Sequence, residues 1–207
     1  MSNGRVRDGE ATKKKIIEKA KRLFAEKGYN GVSIRTLSKA CGMSGALILH
    51  HFKSKEGIYD AVRLALIEKY IPLVRDLIVD DTNFFEFMEQ MLRGSFRFYK
   101  ENPIAIKMMH WERLNGFNKP WPKAEEFHKM FLERFKKAIE NNEVSSDFNP
   151  RFFGIMTGGM THLWWEDRNY IMHDIFGKKV SEEKMSVEDE KYMQHVLYYM
   201  KKCLKKD

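Results

Sequence analysis

Residues 33–53 read SIRTLSKACGMSGALILHHFK, and their pattern is that of two short helices joined by a tight turn. Ser33 is placed to cap the first helix, whose Ile34, Leu37, Ser38 and Cys41 fall on one face at spacings of three and four. Gly42-Met43 interrupts that pattern, and Ser44 is placed to cap a second helix of about two turns. Such a helix-turn-helix leaves one helix free to enter a DNA major groove while the other braces it.

Charge agrees with this reading. Residues 1–55 hold 13 Lys and Arg against 4 Asp and Glu, and the rest of the chain holds 24 against 25. The net +8 of the 207 residues is therefore a property of the first quarter. A localised basic patch suits nucleic acid, because each phosphate neutralised releases counterions.

Composition bounds the rest. A chain that is 43% hydrophobic and 13% aromatic is globular, and it is long enough for one or two domains. Charged residues interrupt every apolar stretch before it reaches membrane-spanning length, and the N-terminal MSNGRVRDGEATKKK lacks the apolar core of a secretory signal. Cys41 and Cys203 match no disulfide framework or zinc spacing. A cytoplasmic location is the expectation.

Nearly all of the chain reads as helix, and no period-2 strand pattern or internal repeat is present. Ile16, Ile17, Ala20, Leu23 and Phe24 form a stripe that Gly28 is placed to end. Ser54 caps a fourth helix running to about Ile71, before Pro72 intervenes. Further helices are expected from Phe84 to Tyr99, through Met108 to Trp111, from Phe127 to Ile139, from Pro150 to about Ile175, and through Tyr192 to Leu204. The expected fold is all-α with about nine helices. Its DNA-binding domain spans 1–55, with 1–11 as a flexible arm, and a helical effector-binding and dimerisation domain spans 56–207.

Residues 16–62 resemble the DNA-binding domain of the TetR family of bacterial transcriptional regulators. The resemblance is carried by Ala20 with Leu23-Phe24, Gly28-Tyr29, Ser33-Ile34, Cys41-Gly42-Met43-Ser44 and His51-Phe52-Lys53-Ser54-Lys55-Glu56. It implies an all-helical homodimer in which three N-terminal helices read DNA and the C-terminal helices bind an effector and dimerise. Beyond residue 62 the likeness is general only, with a weak echo in Glu143-Val144 and Asp147-Phe148-Asn149-Pro150. The family pattern has Gly where this chain has Ala46, and a phosphate-bonding Tyr where it has Leu49. His50 or His51 is the candidate to take over that bond, and Leu49 and Phe52 are expected to pack.

Helix N-termini bind phosphate through free N–H groups and the dipole, so Ser33, Ser44 and Ser54 each open a candidate phosphate site. Lys55 sits in a first turn, where the dipole disfavours a cation, which suggests that DNA supplies the compensating charge. In the reading helix, Gly45, Ala46 and Leu47 offer only apolar contact, for instance to a thymine methyl. Arg35 and Thr36 are the better hydrogen-bonding candidates, and Arg5 and Arg7 either enter the minor groove or form a tail without a fixed site.

The C-terminal part is rich in Phe, Met and Trp, which either fill an ordinary core or line a cavity. The cavity reading takes Met88, Met91, Phe98, Met109, Phe131, Met160 and Trp164 as the wall for a largely apolar, possibly aromatic effector. Trp164-Trp165-Glu166-Asp167 could also present an aromatic and acidic patch to a cation. Gly154 and Gly158 suit close backbone approach, either to a partner subunit or to a neighbouring helix; since the resemblance implies a dimer through the last two helices, they, with Val196 and Met200, are the expected dimer contacts. His162 and Glu166 are four apart but lack a third ligand, so no metal or cofactor is expected. There is no Walker loop, dinucleotide fingerprint, G-x-S-x-G or H-E-x-x-H, so no catalytic residue is assigned. The function expected is a ligand-responsive repressor on a palindromic operator. The alternatives are a DNA-binding protein of the same fold governed by a protein partner, and an enzyme using the C-terminal cavity.

Overall fold

A computed structural model describes residues 2–68, 70–79, 83–117, 119–147, 149–177 and 180–204, without the side chains of 2–7, 73, 77–79 and 176. Ten α-helices and no strand occur among them: α1 (Ser2–Lys27), α2 (Ile34–Cys41), α3 (Gly45–Phe52), α4 (Lys55–Ile67), α5 (Ile71–Val79), α6 (Phe84–Glu101), α7 (Pro103–Leu114), α8 (Ala124–Glu140), α9 (Pro150–Phe176) and α10 (Glu182–Leu204). The count exceeds the expected nine because the fourth helix stops at Ile67 and Pro72 sits in the first turn of a separate α5. Proline is tolerated there but disfavours helical backbone just before it. Phe148, Lys178 and Lys179 lie outside the described residues, as do the side chains of Arg5 and Arg7. The segment expected as an arm is the start of α1.

The chain forms two compact units, Met1–Lys69 with Asn102–Ala124, and Tyr70–Glu101 with Glu125–Asp207. The charge boundary near residue 55 thus falls inside the first unit. That unit holds α1–α4 together with α7 and the loop after it, and both α4 and α7 pack on α1. Ile16, Ala20 and Phe24 of α1, Leu37 of α2, Ile48 of α3 and Ile58, Tyr59 and Val62 of α4 make its core. The Trp111 indole of α7 donates to the Ala25 carbonyl at 3.2 Å, fastening α7 to the end of α1.

A buried polar cluster joins α4 to α7. Arg63 has no exposed surface; its Nε lies 3.3 Å from Glu112 and it donates to the Lys119 carbonyl at 2.8 Å. Glu112 also accepts from the Tyr59 hydroxyl and the Trp121 indole, both at 2.9 Å. A buried charge needs such paired, hydrogen-bonded surroundings. Burial, with the Glu112 carboxylate adding to it, pushes the Tyr59 phenol far up.

In the second unit, Phe84, Phe87, Met88, Leu92 and Phe96 form the buried stripe of α6. Phe135 of α8 meets Phe84 and Phe153 edge to face, with centroids 4.9 and 5.6 Å apart. Trp164 of α9 stacks on Tyr192 of α10 at 4.2 Å and donates its indole N–H to Asp189, which also takes Arg168. No helix among the described residues is long and apolar enough to cross a membrane.

Candidate nucleic-acid interface

Three serine caps set the local geometry. The side chains of Ser33, Ser44 and Ser54 accept from the backbone N–H of Thr36, Leu47 and Gly57 at 3.1, 3.2 and 3.0 Å. Each bond satisfies one of the donors that a helix start leaves over and pins the direction in which the others point. Between α2 and α3 the chain turns at Gly42, whose left-handed backbone (φ 65°) lets Met43 N–H return to the Ser38 carbonyl. The Ser38 hydroxyl donates to the Met43 carbonyl and closes the same turn.

The turn sets α3 against α2 so closely that a Cβ on Gly45 would meet Ile34 at 3.2 Å. Gly45 therefore packs, while Ala46, Leu47 and His50 occupy the outer face of α3. Leu47 is an exposed apolar side chain on a short helix whose Ile48 is fully buried. Leu49 and Phe52 are half-buried. His51 is half-buried too, with its ring 5.6 Å from that of His50. Arg35 is exposed at the start of α2; Thr36 is half-buried, its hydroxyl 2.9 Å from that of Ser33.

Lys55 is placed otherwise than its sequence position suggests. Its ammonium donates to the Tyr29 carbonyl at 3.0 Å and lies 4.0 Å from the centre of the Tyr29 ring. The compensating partners for the cation come from within the chain.

These helices carry the features that the comparisons pick out. Residues 16–62 match the model of the bacterial regulatory proteins of the tetR family. Residues 16–62 are thus a tetR-family domain. It is 23% identical to the HTH-type transcriptional regulator UidR of Escherichia coli over 156 residues, 72% of this chain and 77% of the relative. It is 34% identical to the HTH-type transcriptional repressor AcnR of Corynebacterium glutamicum over 92 residues, 41% of this chain and 49% of the relative. Its fold is that of AibR, solved in complex with isovaleryl coenzyme A and operator DNA (TM-score 0.63, 16% identity, 91% of this chain and 97% of that one). The ketosteroid transcriptional regulator KstR2 of Mycobacterium tuberculosis is similar to the same degree (TM-score 0.60, 16% identity, 94% and 95%). Both curated relatives, UidR and AcnR, are named as transcriptional regulators.

The effector and dimer residues fare unevenly. Met88 and Trp164 are buried in the core of the second unit, and Met91, Phe98 and Phe131 are half-buried there. Met109 belongs to the first unit, on α7, and Met160 is exposed on α9. The Trp164-Trp165 pair faces inward and offers no surface patch. Val196 and Met200 are 5% and 6% exposed, turned into the core of the chain and not available as dimer contacts. Gly154 and Gly158 are exposed, with open space around a Cβ on Gly158. His162 is buried 3.4 Å from Glu166. Two features escaped the sequence reading. One is the exposed line Phe152, Ile155, Met156, Leu163 and Tyr170 on α9, legible as a second apolar stripe. The other is Trp165, whose indole N–H is buried and makes no hydrogen bond among the described residues.

Proposed function

We propose that this chain is a TetR-family repressor that binds a palindromic operator as a homodimer and is released by a largely apolar small molecule. DNA contact is assigned to Ser33, Arg35, Thr36, Ser44, Ala46, Leu47 and His50, around the outer face of α3, with the helix starts at Ser33, Ser44 and Ser54 at the DNA backbone. The observation that carries the dimer is the apolar stripe of α9, where Phe152 and Ile155 are 63% and 71% exposed in the single chain. Contiguous apolar surface of that kind marks an association face, and a two-fold pairing makes the same stripe serve both protomers. Dimers place two reading helices one helical turn of DNA apart, which accounts for a palindrome.

The effector reading is supported by the half-buried Met91, Phe98 and Phe131 of the second unit and by the similarity in fold to AibR. Trp165 adds a donor with no acceptor among the described residues, which suits an effector that carries a carbonyl or carboxylate beside its apolar body. Release requires that the effector bind the DNA-free state more tightly than the DNA-bound one.

The dimer is tested by light scattering at micromolar concentration. Wild type is expected to be dimeric, and Ile155→Glu, which touches nothing in the protomer core, is expected to be monomeric and weak on DNA. A dimeric Ile155→Glu protein removes α9 as the interface. For the effector, an operator complex is challenged with a panel of acyl and aromatic compounds. Indifference to all of them replaces the small molecule with a protein partner.

A further inference from the structure

Lys55 opens α4 immediately after the Ser54 cap, and Tyr29 lies in the turn between α1 and α2. The Lys55 ammonium spans the two, with one N–H on the Tyr29 carbonyl and its charge over the Tyr29 ring. The ring cannot move aside easily. It meets Tyr59 edge on at 5.1 Å, stacks on Phe24 at 6.3 Å and touches Phe117 at 5.7 Å. The turn is held on its other side as well: Gly28 lies against the Trp111 ring and Asn30 donates to Asn115 at 3.3 Å.

Four residues after Tyr29 stands Ser33, the cap of α2. Lys55 thus ties together the starts of α2 and α4, the two helix N-termini that flank the reading helix. A lysine that acts on DNA only through its charge needs no fixed partner for its flexible stem and rotatable donors. This one is half-buried and carries a fixed acceptor and a fixed ring.

We infer that Lys55 is a positioning residue for operator binding: it sets the spacing of the α2 and α4 N-termini through Tyr29 and does not itself neutralise a phosphate. This inference rests on the proposed placement of those N-termini at the DNA backbone. Positioning and phosphate contact differ in what salt does to the variant. Each phosphate neutralised contributes about 0.9 to the slope of log K against log salt, whereas a misplaced pair of helices weakens the matched site and leaves the slope alone.

The experiment measures binding of the full chain, over a range of KCl, to a duplex that wild type selects from a randomised pool and to an unrelated duplex of equal length. Selection of a duplex by wild type stands on its own as evidence for the interface, whatever Lys55 does. Lys55→Met, which keeps the apolar stem, is expected to lose about tenfold on the selected duplex and little on the unrelated one, with an unchanged salt slope. Tyr29→Leu removes the ring and leaves the charge; it is expected to show the same loss, and adding it to Lys55→Met should cost nothing further. Tyr29→Phe, which keeps ring and carbonyl, should bind as wild type does. A salt slope lowered by about one unit in Lys55→Met, with equal loss on both duplexes, makes Lys55 a phosphate contact and overturns the inference. So does undiminished binding by Tyr29→Leu, which also decides the matter should Lys55→Met fail to fold.

Discussion

At the residue scale, two glycines with the same backbone differ in what surrounds them. Gly28 and Gly42 both have φ 65°, in the left-handed region. A Cβ on Gly42 meets nothing within 4 Å, whereas one on Gly28 meets the Trp111 ring at 2.9 Å. Gly42→Ala is therefore expected to cost only the backbone penalty of about 1–2 kcal/mol. Gly28→Ala should cost clearly more, because the indole is held by its bond to Ala25 and cannot retreat. Urea denaturation of the two variants checks the order; equal losses would mean that Trp111 yields. Both glycines were legible in the sequence as helix ends. The ring beside Gly28 was not, because it comes from a residue more than eighty positions away.

At the scale of elements, the buried Glu112–Arg63 pair joins α7 to α4 inside the first unit. Glu112→Ala leaves the fully buried Arg63 guanidinium beside an empty acceptor site and strands the Tyr59 and Trp121 donors. Breaking a buried pair from one side costs about 3–5 kcal/mol. The expected result is a loss of that order in unfolding free energy, read from the first unit's tryptophans Trp111 and Trp121. Restoring neutrality with Arg63→Met in the same chain should recover part of it, since a well-packed apolar pair can replace a buried ionic one. A double variant no better than Glu112→Ala alone would assign the loss to packing. The pattern of apolar residues around Trp111 indicated a helix here, but periodicity reports that a face is buried and not what buries it.

For the molecule as a whole, acid stability should reflect the ion pairs between α6 and α10. Arg93, and then Lys201, hold the Glu89 carboxyl below its ordinary 4.5, against the opposing effect of burial. Gln194 and Arg93 likewise hold Glu190 below 4.5. A carboxyl whose folded value is lowered adds stability at pH above its unfolded value and loses that contribution as pH falls through the folded one. The protein should therefore weaken progressively below about pH 4.5, the unfolded carboxyl value. Glu89→Gln with Glu190→Gln should be less stable than wild type at neutral pH and should converge with it in acid. Melting temperatures measured across that range check the convergence; parallel curves would show that these carboxylates do not carry the effect.

The local signals settled the helices. Ser33, Ser44 and Ser54 cap, Gly28 and Gly42 turn, and Pro103 and Pro150 start helices, because caps and turns are contacts within a few residues of chain. The basic first quarter and the helix-turn-helix spacing likewise pointed to DNA before any packing was known. Tertiary structure decided what the side chains at the helix surfaces do. It turned Lys55 to Tyr29, placed Met109 in the first unit, buried Val196 and Met200 within the chain, and left Ile155 and Phe152 outside. An amphipathic stripe or a charge near a helix end has several physically acceptable partners, and only the long-range packing of the chain selects among them.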